Sequence, residues 1–317
     1  MLWVAILEAV NLKESRVVDV KCSKLTLYGH NDEYGKSTVF ATREAGTYDD
    51  VIPDNAFKGK ISLYHFTFPE RITQIGENAF SASSLSGALV LPDDIVYLWN
   101  NSFANTNISS LTTSSNIKII GNSVFENCGS LTGELALPEI LTYIGANTFK
   151  ECSFKGYLNL PENLEYIGAS AFQESGDFIG DLKIPSRINQ LYNNTFWANK
   201  RNQFNGQLFL NNVTKLAGSC FSGCGFQGEL VIPEGVTEIP EAFIGPLGGW
   251  TAGGVVPITG LKLPSTLKII RKRAFCNCTR LTGELHIPEG VVVIETEAFN
   301  RTSITSLYAL AYLSLTI

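Results

Sequence analysis

A phenylalanine returns along most of this chain at nearly constant spacing, at positions 57, 80, 103, 125, 149, 172, 196, 221, 243, 275 and 299. The intervals lie between 22 and 25 residues, except that Phe243 to Phe275 spans 32. Other columns keep step with it. An aliphatic residue stands five positions earlier, as in Ile52, Ile75, Leu98, Ile120, Ile144 and Ile167, and slips by one to Ile239 in the ninth copy. A small residue such as Ala56, Ala79, Ser102 or Cys220 usually precedes the ring directly. Some eight to twelve residues after the ring, an alternating apolar pair runs into proline, as in Leu89-Val90-Leu91-Pro92 and Leu285-His286-Ile287-Pro288.

Alternation with period two marks a short strand with one face inward, and proline ends it because it cannot donate to a ladder. The I-G-x-x-A-F stretch then turns the chain on the far side, with Gly76, Gly121, Gly145 and Gly168 read as bend residues. One such coil cannot bury its own apolar face, whereas stacked coils share a continuous core. The expected fold is therefore a solenoid of eleven coils of about 23–24 residues, mainly β with short helical or turn segments and a parallel sheet on one face. Length alone would favour two domains. The repeat replaces that expectation with a cap or degenerate repeats over 1–50 and a solenoid over 51–317, with an insertion at 245–257.

The pattern L-x-[LI]-P…I-G-x-x-A-F-x-x-C-x-x-L resembles the BspA-type leucine-rich repeat. The resemblance implies a cell-surface or secreted protein used in adhesion to host or extracellular-matrix proteins. Segment 107–115 lacks the closing proline, and Asn211 replaces it after Leu208-Phe209-Leu210. Both are degenerate copies of the same unit.

Composition restricts the functions open to such a scaffold. The formal net charge of −6 argues against a nucleic-acid groove, which needs clustered cations. No apolar run approaches the ~20 residues of a membrane span. The opening stretch 1–16 lacks the basic start and long apolar core of a secretory signal. His30, His65 and His286 offer no shared site, since His65 and His286 stand nine coils apart, roughly 43 Å. Among the cysteines, Cys128, Cys152, Cys224 and Cys278 each follow the repeat phenylalanine by three residues and read as a buried column of free thiols. A disulfide between Cys128 and Cys152 is geometrically open, and a zinc site from Cys220, Cys224, Cys276 and Cys278 would have to bridge an intervening coil. No cofactor or metal is expected.

Two columns point outward from the strands. Acids recur in the first (Glu134, Asp181, Glu229, Glu284) at a separation that spreads like charges along the sheet. The informative residues are apolar ones where water would favour polar groups: Tyr157, which this alignment sets beside Asp181, together with Phe209, Val231 and Tyr308. Trp250, in the glycine-rich insertion, joins them. Aromatic side chains anchor protein interfaces, so these five are the candidate partner-binding residues. The resulting expectation is a non-enzymatic scaffold for a protein partner, able to pair end to end as a homodimer. An intracellular interaction scaffold is the alternative, and a glycan-acting enzyme using the acidic column is the least favoured.

Overall fold

The computed structural model describes residues 25–31, 37–43, 51–68, 71–198, 204–246, 255–309 and 314–315. Within them the chain winds as a parallel β-solenoid of about eleven coils, and no described residue is helical. Each coil has three sides. One carries the strand that ends at proline, one a strand of two residues, and the third a pair of turns that presents the phenylalanine.

On the wide side, strands of successive coils pair in parallel: Ser86–Val90 with Asn107–Thr112, Ser153–Tyr157 with Gly176–Ile179, Gly228–Val231 with Ile258–Lys262, and Thr282–Ile287 with Ser303–Ala309. A hairpin, Leu25–Asn31 against Ser37–Arg43, adds its second strand in parallel to the first coil's Leu63–Thr67. The opposite, narrow ladder joins Val51–Ile52, Gln74–Ile75, Tyr97–Leu98, Ile119–Ile120, Tyr143–Ile144 and Tyr166–Ile167. It continues through a single bridge between Gln190 and Lys215 and then through Glu238–Ile239, Ile269–Ile270, Val293–Ile294 and Ser314–Leu315.

The turns use a left-handed backbone, which is why the far side is not helical. A residue with φ near +55° stands two before the phenylalanine in most coils (Asn55, Asn78, Asn101, Ser123, Asn147, Ser170, Asn194). Another stands two after it (Gly59, Ala82, Asn105, Asn127, Glu151, Glu174). Asparagine tolerates this region better than other side-chain-bearing residues. The N–H of the ring residue in most coils then reaches the next coil, as from Phe125 to the Thr148 carbonyl at 2.8 Å and from Phe149 to Ala171 at 2.9 Å. Backbone groups that a helix would pair internally are thus paired between coils.

The bend glycines serve a different purpose from the one their sequence context implies. The positive φ falls on the asparagine or serine instead, and Gly145 is glycine because a Cβ there would come within 2.5 Å of the Asn122 nitrogen. It is close approach of coils that demands it.

Inside, the repeat rings form a spine. Phe57, Phe80, Phe103, Phe125, Phe149, Phe172, Phe196 and Phe221 stack near-parallel with centroids 5.0–5.7 Å apart. The run breaks at the ninth coil, where Phe243 meets Phe221 and Phe275 edge-on at 86° and 79°. That coil carries the register slip and the insertion. A second buried column, Phe154, Phe178, Phe204 and Phe226, stacks beside the first at 5.5–6.2 Å. In most coils the position three after the ring is a serine, threonine or cysteine. Thr106, Ser175 and Thr302 donate to the carbonyl of their own phenylalanine, each at 2.8 Å. Cys128, Cys152 and Cys224 donate instead to the phenylalanine carbonyl of the coil before, at 3.1–3.2 Å.

Candidate interaction surface

On the wide side, alternation along each strand decides what reaches solvent. In Gly228–Val231 only Leu230 is buried, and in Thr282–Ile287 Leu285 and Ile287 are, leaving Glu229, Val231, Glu284 and His286 outside. Repeated coil after coil, this sets two outward rows along the sheet.

The second row changes character along the molecule. In the first five coils it holds Thr67, Val90, Thr112, Ala136 and Asn159, all exposed and all uncharged. From the sixth it reads Lys183, Phe209, Val231, Lys262, His286 and Tyr308. Direct cross-strand pairs hold these side chains. Lys183 lies opposite Phe209 with its ammonium 5.7 Å from the ring centre, a cation–π contact. Val231 lies opposite Lys262, whose Nζ donates to Glu229 Oε2 at 2.8 Å. His286 lies opposite Tyr308, their rings stacked at 5.4 Å. Phe209 is 37% exposed, Val231 48% and Tyr308 53%. A shallow concavity of about 480 Å³ lies along Val231, Lys262, Glu284 and His286.

Tyr157 stands elsewhere, in the first row and two coils before Phe209, and it is 59% exposed. Its strand neighbour is Ile179, and not Asp181 as the column alignment has it. The strand of the sixth coil stops at Ile179, Gly180 turns with φ +77°, and a second short strand restarts at Leu182. The Tyr157 ring lies against Gly180, where a Cβ would come within 2.6 Å of Cε1. Asp181 follows, its Oδ1 accepting the Gln207 N–H at 2.8 Å. Tyr157, Asp181 and Lys183 border a second concavity of about 360 Å³.

Phe209 and Val231 therefore occupy neighbouring coils of one row, Tyr308 ends that row, and Tyr157 stands apart. Trp250 lies outside the described residues. Two parts of the surface went unread in the sequence. One is the pairing of Lys183 and His286 with the ring across from each. The other is on the narrow ladder, where Tyr97, Tyr143 and Tyr166 recur one residue before the inward aliphatic position. Their spacing was a usable signal, but that stretch reads as a bend and not as a strand with an outer face.

Among the described residues the six cysteines, Cys128, Cys152, Cys220, Cys224, Cys276 and Cys278, are all buried free thiols. Burial pushes Cys128, Cys152, Cys220, Cys224 and Cys278 above the ordinary thiol range, desolvation being the leading cause in each. Among the described residues no cluster of three or more His, Cys, Asp or Glu side chains is arranged to hold a metal, and no helix is long and apolar enough to cross a membrane.

No curated protein sequence matches the chain. Solved structures with similarity include a leucine-rich repeat protein from Bacteroides ovatus, 18% identical, with 93% of this chain and 90% of that chain covered and a TM-score of 0.40. A leucine-rich cell surface protein from Faecalibacterium prausnitzii is 15% identical, with 94% and 96% covered and a TM-score of 0.38. The pneumococcal vaccine antigen PcpA is 14% identical, with 95% and 89% covered and a TM-score of 0.40. The family model described as the BspA type leucine rich repeat region matches in 6 copies over residues 50–156, 132–244 and 254–314. With its coils, its phenylalanine spine and that match in agreement, the chain belongs to the BspA-type leucine-rich repeat family.

Proposed function

We propose that this repeat scaffold is a non-enzymatic adhesion module, displayed at a cell surface or secreted, whose wide face holds a host or extracellular-matrix protein. The observation that carries the reading is the second outward row from the sixth coil onward. There an exposed phenylalanine, valine and tyrosine are interspersed with Lys183, Lys262 and His286 on hydrogen-bonded parallel strands. Apolar anchors set among charges have the composition of an interface core with its polar rim. The surface location and the class of partner come from family membership. The hairpin 25–43 is taken to close the first coil's edge, which a solenoid needs at its ends. End-to-end pairing of two copies belongs to the same proposal, and light scattering at high concentration reads it as a doubled mass.

Purified matrix proteins on a sensor surface provide the test. At least one is expected to retain the chain, and the double substitution Phe209→Ala/Tyr308→Ala is expected to weaken that retention roughly tenfold or more. The substitution Thr112→Ala, in the neutral half of the same row, is expected to leave it unchanged. Equal retention of all three proteins contradicts the reading.

A further inference from the structure

The narrow ladder has an outer face of its own, opposite the surface assigned above to a protein partner. Its outward positions carry two aromatic groups, Tyr97 and Trp99 in the third coil and Tyr143, Tyr166 and Tyr192 in the fifth to seventh, with Ile119 and Gly121 between them in the fourth. Tyr97 stacks on Trp99 at 5.8 Å, Tyr143 on Tyr166 at 4.5 Å, and Tyr192 tilts against Tyr166 at 5.3 Å. Cross-coil stacking accounts for the Tyr143, Tyr166 and Tyr192 group as support for the ladder. It does not account for Trp99. The indole is 42% exposed, and its counterparts in the adjacent coils are Gly76 and Gly121, which leave it standing clear of cover. Its orientation is nonetheless fixed, because Nε1 donates to Gln74 Oε1 at 2.9 Å.

Two amides stand beside this belt. Asn100 Oδ1 accepts the Asn122 N–H at 2.8 Å, and Asn122 Oδ1 accepts the Ala146 N–H at 2.8 Å. The backbone thus holds each oxygen, and neither NH2 group takes a described protein acceptor, so two oriented donors are left beside the rings.

Charge selects among ligands. No side chain of the two outward rows from Gln74 to Tyr192 carries a formal charge at neutral pH. The same rows farther on hold Lys215, Glu238, Arg271 and Glu295, and Arg271 bridges Glu238 at 2.8 Å and Glu295 at 2.7 Å. An anionic or cationic partner gains little from the aromatic half, because the charges that flank it, Lys118, Glu165 and Arg187, are of both signs and Arg187 already pairs with Glu165 at 2.8 Å. A neutral, hydroxyl-rich chain with apolar C–H faces does, because rings receive its C–H faces while the amides and phenols meet its hydroxyls. We propose that the belt formed by Trp99, Tyr143, Tyr166 and Tyr192, with the amides of Asn100 and Asn122, is a binding site for a neutral linear glycan. From the third coil to the seventh is four steps, about 19 Å, so the site would take a short run of sugar units along the solenoid axis. It is independent of the protein-binding reading of the wide face.

Electrophoresis through gels containing a soluble mixed-linkage β-glucan, a galactomannan or anionic polygalacturonate tests it. Retardation by at least one neutral polysaccharide is expected, with little by the anionic one. Trp99→Ala is expected to weaken it roughly tenfold. Phe209→Ala, on the opposite face, is expected to leave it intact. Thermal unfolding of each variant identifies one that has lost its fold, in which case Tyr192→Leu takes the place of Trp99→Ala. The proposal is overturned if neither neutral polysaccharide retards the chain, if polygalacturonate retards it as strongly, or if folded Trp99→Ala behaves as the parent. Retention on matrix proteins that disappears in Trp99→Ala, without any effect of glycans, overturns it in favour of a protein on this face.

Discussion

At the residue two before each repeat phenylalanine, the backbone is left-handed and the side chain is most often asparagine. Asn101, with φ 55°, makes no side-chain hydrogen bond among the described contacts, so its role is conformational. Replacing it with glycine is expected to leave stability unchanged or raise it, while Asn101→Ala is expected to cost about 1 kcal/mol, measured as the urea midpoint. Equal midpoints for the two variants would contradict this role. The thiols give a pH-dependent expectation. Desolvation lifts the folded-state values of Cys220, Cys224 and Cys278 above 9.0, so the unfolded chain releases these protons at a pH where the native chain still holds them. Their effect on stability is therefore nil below about pH 9 and unfavourable as pH rises past it, by about 1.4 kcal/mol per pH unit for each thiol. Denaturant titrations at about pH 8 and pH 10 should show that fall, and Cys224→Ala should make it shallower. Parallel curves for parent and variant would show that this thiol titrates alike in both states.

The elements differ in how far the sequence announced them. The phenylalanine spine was fully legible, because a ring at fixed spacing with an aliphatic partner five residues before it leaves few other arrangements. Phe125 packs between Phe103 and Phe149 at 5.6 and 5.7 Å, so Phe125→Ala is expected to cost about 4 kcal/mol by calorimetry or denaturant unfolding. A loss below about 1 kcal/mol would mean that the spine is not where the core energy lies. The second stack, through Phe154, Phe178, Phe204 and Phe226, was visible only in retrospect. Those rings sit at variable distances after the repeat phenylalanine, and a fixed-offset alignment does not line them up. The same cause moved Tyr157 from Asp181 to Ile179. The sixth coil breaks its strand at Gly180, and counting back from the proline cannot tell a strand residue from one spent in a turn. The two-residue strands of the narrow ladder were too short for any periodicity to register.

For the molecule as a whole, eleven small coils acquire a shared core only by stacking, and what distinguishes one part from another lies on the outside. The second row of the wide face passes from uncharged residues to the Lys183–Tyr308 stretch as the narrow face passes from aromatic to charged. That opposed gradient was absent from the sequence reading because it depends on knowing that both faces exist. Phe209, Val231 and Tyr308 were recognisable as outward apolar residues, but Lys183 and His286 acquired meaning only from the strand pairing that sets each against a ring. The most direct test of the assignment of the wide face is hydroxyl-radical footprinting with and without a retained matrix protein. Oxidation of Phe209, Val231 and Tyr308 should fall sharply in the complex while Trp99 and Tyr143 continue to be modified as in the free chain. Protection confined to the narrow ladder or the turns, with Phe209 and Tyr308 still fully reactive, would contradict the account.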